Sequence, residues 1–219
     1  DAFALPEGSE VILCPSGSDA EYIPVAIARA LIPETGTSRR IVNIVSQLRE
    51  IGAGTAPAAG GEFFSTHTPL SGALPSERVN GRLAGMDDDM LLSHVDIPAR
   101  SRDGGVVDVQ QRINEELQKA KESNDFPIVH GVFGGKTGLM DKAMPVSTGE
   151  GVAEDSLAVI DACQGRFSLK ELHHWLSEGS DAIVLITGSK FYQGPPFAGA
   201  VIIPPRIASK LREAPAPQP

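Results

Sequence analysis

Short apolar runs alternate with helical stretches along this chain, and that alternation predicts an α/β fold on a mainly parallel sheet. A second observation agrees with it. Three continuous apolar runs, residues 11–14, 157–160 and 182–186, each end in a cluster of polar residues. A third is the recurrence of Val109, Ile113, Leu117 and Ala120 at helical spacing with Gln, Arg, Glu and Lys between them. That is the pattern of an amphipathic helix covering a sheet. No internal repeat of about 20–50 residues is visible, so a solenoid is not indicated.

In chain order, residues 10–14 form a compact strand, 15–19 a turn, and 20–31 a helix with Pro24 in its first turns, where proline is best tolerated. Residues 40–45 read as a second strand. Residues 47–80, rich in Gly, Ala, Thr and Pro, read as irregular or short helical pieces, and 90–97 contains another strand. Residues 126–129 follow the amphipathic helix as a strand, and 157–160 is a fully apolar strand ending at Asp161. Ser168-Leu169-Lys170-Glu171 has the form of a capping box. Leu169, Leu172, Trp175 and Leu176 make one apolar face behind it, with Gly179 as the expected stop of a helix over 168–178. Residues 182–186 and 200–203 complete the strands. Residues 1–213 read as one domain, and 214–219, Ala-Pro-Ala-Pro-Gln-Pro, as a linker or tail.

Composition narrows the function. At roughly 150 residues per domain, 219 residues make one large domain or two small ones. With 41% hydrophobic and 21% charged residues, the chain is ordinary for a globular protein. Lys+Arg is 19 against Asp+Glu 28, a net charge of −9, which speaks against nucleic acid or an anionic membrane as the main partner. No apolar run approaches the roughly 18 residues of a membrane span. Two cysteines, Cys14 and Cys163, give no disulfide framework and no cysteine zinc motif. They read as small buried packing residues. Sparse thiols fit a reducing compartment, so a cytoplasmic location is expected. The start at Asp1 and the Pro-rich end suggest a piece of a longer protein.

If the three polar-tipped strands are parallel, their carboxyl ends face one crevice, the place where ligands bind in open α/β sheets. Ser16-Gly17-Ser18 leads into a helix whose first N–H groups are unpaired, which makes a phosphate seat. Thr187 and Ser189 add hydroxyls from another strand end. Asp161 can hold a protonated ring nitrogen; opposite charges ~4 Å apart at an effective dielectric of ~20 attract by about 4 kcal/mol before desolvation. Gln164 can reach a phenolate oxygen, and Lys190 can form a Schiff base with an aldehyde. A phosphate, a ring nitrogen and an aldehyde together describe pyridoxal 5′-phosphate (PLP).

The order Ser-Gly-Ser-Asp-Ala-Glu (16–21), Asp-Ala-Cys-Gln (161–164) and Thr-Gly-Ser-Lys (187–190) resembles fold-type I PLP-dependent enzymes, with the aminotransferase class V group, which includes cysteine desulfurases, as the closest look. The resemblance implies the large cofactor-binding domain, a three-layer α/β/α sandwich, with the N-terminal segment and the small C-terminal domain outside this chain. By resemblance, Asp161 pairs with the pyridine nitrogen, Gln164 with the 3′-oxygen, and Lys190 carries the internal aldimine. Gly17, Ser18, Thr187 and Ser189 hold the phosphate. The family usually places an aromatic or His over the ring after the strand that here is 40–45. Glu50-Ile51-Gly52 stands there, with Phe63, Phe64 and His67 as later candidates. The resemblance implies a PLP-dependent transferase acting on an amino acid or related amine. The alternative is a lyase of decarboxylase, aldolase or desulfurase type. It also implies a homodimer, with Gly194-Pro195-Pro196-Phe197 placed to lie near the interface; a rigid turn with Phe197 in the local core is the other reading.

Other motifs weigh less. Phe133-Gly134-Gly135-Lys136-Thr137 resembles a P-loop, but the required first Gly falls on His130. Under the PLP reading, His130, Lys136 and Thr137 lie at a strand end and are candidate substrate contacts. Asp87-Asp88-Asp89 has no matching ligand spacing and reads as a solvated acidic turn, so no metal is expected. Of His173 and His174, one is expected exposed and one packed at a helix edge. Arg166 either orients the Asp161–Gln164 segment or pairs with a carboxylate. A binding domain of the same fold without catalysis is the remaining class, and Lys190 together with Asp161 argues against it.

Overall fold

A computed structural model describes residues 3–32, 39–68, 72–73, 81–83, 92–141 and 156–214. Among these, seven strands form one sheet: β1 (Glu10–Cys14), β2 (Ile41–Ser46), β5 (Leu92–Ile97), β6 (Phe126–Val132), β7 (Leu157–Asp161), β8 (Ile183–Thr187) and β9 (Gly199–Ile203). The spatial order is β1-β9-β8-β7-β6-β2-β5. The ladders β8–β7, β7–β6, β6–β2 and β2–β5 are parallel, and β9 alone is antiparallel to both its neighbours. A separate two-residue ladder joins β3 (His67–Thr68) to β4 (Gly72–Ala73).

Side-chain alternation makes the layers. Ile41, Ile128, Leu157, Ile183 and Val201 share one core with α2 (Tyr22–Leu31) and α6 (Pro205–Glu213). Their neighbours Val42, Val129, Ala158, Val184 and Ile202 face the other way, onto α4 (Gln110–Glu122) and α5 (Leu169–Leu176). The result is the expected three-layer α/β/α sandwich. Pro127 fits inside β6 because the ladder to β7 begins only at Ile128.

Helix ends differ from the expectation in instructive ways. The first helix begins earlier, as α1 (Gly17–Ala20), and the chain bends at Glu21 into α2, where Pro24 is the third residue and needs no intrahelical acceptor. The capping box at Ser168 and Glu171 is present. The helix stops at Leu176 rather than at Gly179: Ser177 is the cap, and its Oγ donates to His174 O at 2.7 Å. Gly179 lies in the following turn at φ +88°. The helix α6 was not expected; its signal was Pro205 at the first position followed by Ile207, Ala208 and Leu211. Residues 48–50 form a 3-10 turn and Thr55–Ala59 a short helix α3, as the composition of that stretch suggested. Asp87–Asp89 and 215–219 lie outside the described residues. No helix among the described residues is long and apolar enough to cross a membrane.

Candidate active site

Because β9 runs backward, β8 leaves the sheet and β9 enters it at the same edge, so residues 188–198 sit at the carboxyl ends of the parallel strands. The turn after β1 comes there too, since Cys14 pairs with Gly199. A cavity of about 280 Å³ opens at that edge. That is close to the lower bound of about 300 Å³ for small-molecule pockets. Gly17, Ser18, Asp161, Gln164, Thr187, Ser189 and Lys190 all line it, as do Gly134, Gly135 and Lys136. Residues separated by up to 174 positions in sequence, Ser16 to Lys190, therefore meet where the strand ends predicted. A larger open groove of about 800 Å³ runs along the solvated side of α4, but a single helix's polar side chains and the adjacent Asp108 form it, and no strand end reaches it.

The floor is Asp161, the last residue of β7, buried and paired in the ladder with Val132 and Leu185. Cys163 N–H donates to its Oδ1 at 2.9 Å. Burial pushes the Asp161 carboxyl up, and the Cys163 donors pull it partly back. On the β1 side, Ser16 caps α1, accepting from Asp19 N–H at 3.1 Å while its own Oγ donates to the Asp19 carboxylate at 2.6 Å. The Ser16 proton is therefore used locally, and the free donors of this turn are Ser18 Oγ and the first N–H groups of the helix. A Cβ on Gly17 would lie 2.7 Å from Cys163 Sγ, so only glycine lets the turn approach β7 this closely. On the β8 side, Thr187 and Ser189 share a hydroxyl hydrogen bond at 3.0 Å, and Lys190 is exposed at the rim.

The tentative substrate contacts separate. Lys136 lines the cavity. Thr137 does not: it donates to the Glu50 carboxylate and borders a neighbouring cavity of about 340 Å³ with Gln47, Arg49 and Arg100. His130 is a correction. It is 0% exposed, on the same face of the sheet as Asp161 but one step below it in register (His130 pairs with Val159), and it does not line this cavity. Its Nδ1 lies 3.4 Å from Glu21 Oε2. Sequence reasoning missed Glu21, 1% exposed at the bend between α1 and α2. Burial and the Asp161 charge push its carboxyl well up, while burial alone brings His130 down to about 3. His130 is therefore neutral near pH 7, and the Glu21 carboxyl is displaced towards its protonated form. A buried Glu beside a hydrophobic helix gave no signal except its position two residues after Asp19.

Cys163 also belongs to the lining, whereas Cys14 packs in the core. Burial, then the charges of Asp161 and Glu21, hold the Cys163 thiol well above its ordinary range, the opposite of a nucleophile's requirement. None of Phe63, Phe64 and His67 lines the cavity; Phe64 stacks on Tyr22 at 5.9 Å instead, and the wall on that side is Ile51, Gly52, Ala53 and Thr55. Arg166 pairs with no described carboxylate and runs along the loop 134–138, its Nη1 3.7 Å from where a Cβ on Gly138 would be. His174 is exposed, and His173 Nε2–H donates to Phe3 O at 2.8 Å. Phe197 is not in the local core: it is 75% exposed at φ +66°, with Phe191 and Tyr192 exposed nearby.

No protein-family model matches the chain, and no curated protein matches it in sequence. Solved structures do. The glutamate decarboxylase domain of diaminobutyrate-pyruvate transaminase and L-2,4-diaminobutyrate decarboxylase from Vibrio parahaemolyticus matches with a TM-score of 0.56 at 15% identity, over 97% of this chain and 43% of that one. Oryza sativa TDC, solved with PLP and tryptamine, gives 0.57 at 13%, over 94% and 39%. Mouse CSAD gives 0.55 at 13%, over 99% and 41%. The chain thus spans about two-fifths of the length of these structures. At such identities the likeness is one of fold, and the chain has the PLP-dependent transferase large-domain fold. The finer resemblance, to class V aminotransferases and cysteine desulfurases, finds no support among these neighbours.

Proposed function

We propose that this chain is the cofactor-binding part of a PLP-dependent enzyme acting on an amino acid, and that a lyase of decarboxylase type is favoured over an aminotransferase. One observation carries the first half: seven residues from the ends of β1, β7 and β8 converge on one cavity with a buried acid at its floor and an amine at its rim. The second half is supported by the neighbours, of which one is a glutamate decarboxylase domain. The aminotransferase reading rests on the motif resemblance alone.

The residues present fit the cofactor. The Gly17 turn leaves a cradle that a Cβ would fill, and the Asp161 carboxyl accepts from no group outside its own turn among the described residues. Ser18, Ser189, Thr187 and the helix N–H groups would hold the phosphate. Asp161 would pair with the ring nitrogen, Gln164 with the phenolic oxygen, and Lys190 Nζ with the aldehyde. When bound, PLP supplies an electron sink for charge released at Cα of the substrate. Asp161 then has a defined task, because a carboxylate beside a ring nitrogen keeps a proton there. Its burial makes that pairing stronger than in water. Lys190 Nζ, at the rim, is the base placed to take or return a proton at the substrate.

Adding PLP to the purified protein is expected to raise a visible absorption band, and borohydride is expected to trap the cofactor on Lys190. Lys190→Ala is expected to abolish both; trapping at another residue would overturn the assignment. Carbon dioxide release from amino acids, against keto acid formation, separates lyase from aminotransferase.

We further propose a homodimer in which the exposed Phe191, Tyr192 and Phe197 meet the second copy. Phe197→Asp is expected to shift light scattering towards monomer and to weaken cofactor retention together. A variant that stays dimeric with normal cofactor content would make this segment a surface turn.

A further inference from the structure

Two amines flank the buried acid. Strands β8, β7 and β6 are consecutive neighbours, and their ends carry Lys190, Asp161 and, after a short loop, Lys136. A ligand lying across the end of β7 therefore meets an amine on each side. Lys190 has a task in the reading above; Lys136, a candidate substrate contact from the sequence, has no defined one there.

Lys136 is exposed, but its backbone is held in place. Its N–H donates to Glu50 O at 2.7 Å, and Gly135 N–H donates to Leu139 O at 2.8 Å. Thr137 Oγ1 donates to the Glu50 carboxylate. A Cβ on Gly135 would lie 3.0 Å from Glu50 O, so the loop is docked tightly against the turn at 48–50. Gly134 and Gly138, at φ +81° and +80°, bracket it and allow the tight path. The backbone is thus fixed on both sides of an exposed lysine that borders the cavity.

The nearby acids are already satisfied. Glu50 accepts from Arg100 Nε at 2.6 Å as well as from Thr137; burial pushes its carboxyl up, and these donors together outweigh that and hold it below the ordinary range. Asp141, buried, accepts from Ser46, from Gln47 Nε2 at 2.7 Å and from Val132 N–H at 2.7 Å. Lys136 has no carboxylate partner among the described residues. In a chain of net charge −9, an unpaired lysine held in a cavity wall favours an anion there.

We propose that Lys136 binds a carboxylate of the amino substrate, opposite Lys190 across the end of β7. This rests on the PLP reading and adds to it a substrate-anchoring residue within this domain. Glutarate is a non-reacting carboxylate probe. Calorimetric titration of glutarate into the PLP-loaded protein is expected to show binding that weakens with salt. Lys136→Met is expected to weaken it about tenfold or more, the loss of one charge-assisted hydrogen bond. Lys136→Arg is expected to retain most of it, and Lys119→Met, on the far helix α4, all of it. Glutarate binding equal in wild type and Lys136→Met, or absent from both, overturns the proposal. The PLP reading is tested separately by the absorption band: Lys136-dependent glutarate binding without that band sinks the cofactor and keeps the anion site.

Discussion

The two faces of the β6–β7 pair are built from different chemistry. Towards α5, Ala158 and Ile160 meet Leu172, Trp175 and Leu176, and Trp175 receives Phe133 and Phe167 edge-on at 4.9 and 5.9 Å. Towards α2, the same strands present Ile128, Leu157 and Val159 and then, near the cavity, His130 and Asp161 beneath Glu21. Both ring nitrogens of His130 and Oε2 of Glu21 are buried without a hydrogen-bond partner. Groups left like this cost stability, about 1–3 kcal/mol each. Both faces bury an apolar core, and the α2 face gives some stability up only at the end where the cavity opens.

The largest effect that sharpens this contrast is on the apolar face. Trp175→Ala is expected to cost about 3–5 kcal/mol in urea unfolding, the usual range for an aromatic deleted from a core. PLP affinity of the folded fraction should hardly move. Asp161→Asn should do the reverse. Its stability change is expected below about 1 kcal/mol, because the variant keeps the shape and sheds a desolvated carboxylate. Turnover is expected to fall about 100-fold or more, which is about 2.7 kcal/mol of barrier. If Asp161→Asn unfolds as readily as Trp175→Ala, the division of labour between the faces is wrong.

The polar face should also shape stability against pH. His130 titrates near 6.5 in the unfolded chain and is held down to about 3 by burial, so below about pH 6.5 the native state binds fewer protons than the unfolded chain. The His130 contribution to stability is lost as pH falls from about 6.5 towards about 3, at up to about 1.4 kcal/mol per pH unit. Glu21 has the opposite sign: burial raises its carboxyl, the native state keeps a proton the unfolded chain releases above about 4.3, and stability is lost as pH rises. Asp161, also raised, adds to that alkaline limb. Where both groups titrate, the His130 and Glu21 slopes oppose each other. Urea midpoints across pH should show His130→Gln flattening the acid limb and Glu21→Gln the alkaline one. Unchanged limbs in both variants would mean that the pair exchanges its proton with solvent as freely in the fold as out of it.

What the sequence shows of this molecule follows from which interactions are local. The strands were legible because continuous apolar runs such as 157–160 and 182–186 have no other economical burial. The cavity lining was legible because polar residues following such runs must lie at strand ends, and parallel strands bring those ends together. Helix α6 was missed because its signal is short: a proline at the first position and only Ile207, Ala208 and Leu211 as an apolar face. His130 was misplaced through the strand's length: β6 runs on to Val132, so His130 is inside the strand and not after it. Glu21 was invisible because its burial depends on β6 and β7, more than a hundred residues away.

The smallest expected effect tests whether the stable face is also independent of the site. The helix α5 that backs Ala158 and Ile160 starts at a complete capping box. Glu171 N–H donates to Ser168 Oγ at 3.2 Å, while Ser168 N–H and Oγ both donate to Glu171 Oε2 at 2.7 Å. Ser168 is exposed and four residues beyond Gln164, the last cavity residue on that segment. Ser168→Ala removes one acceptor for an otherwise unpaired N–H, and the expected cost is about 1 kcal/mol, within the range of roughly 0.5–2 for such caps. Glu171→Ala should cost less, since Ser168 N–H can turn to water. Both losses should appear in urea midpoints and neither in PLP affinity, because Gly165 N–H to Ala162 O at 2.8 Å closes the turn that carries Gln164 before the helix begins. A cap variant that weakens PLP binding more than about twofold would show that α5 positions the 161–164 turn, and that the two faces are coupled through it.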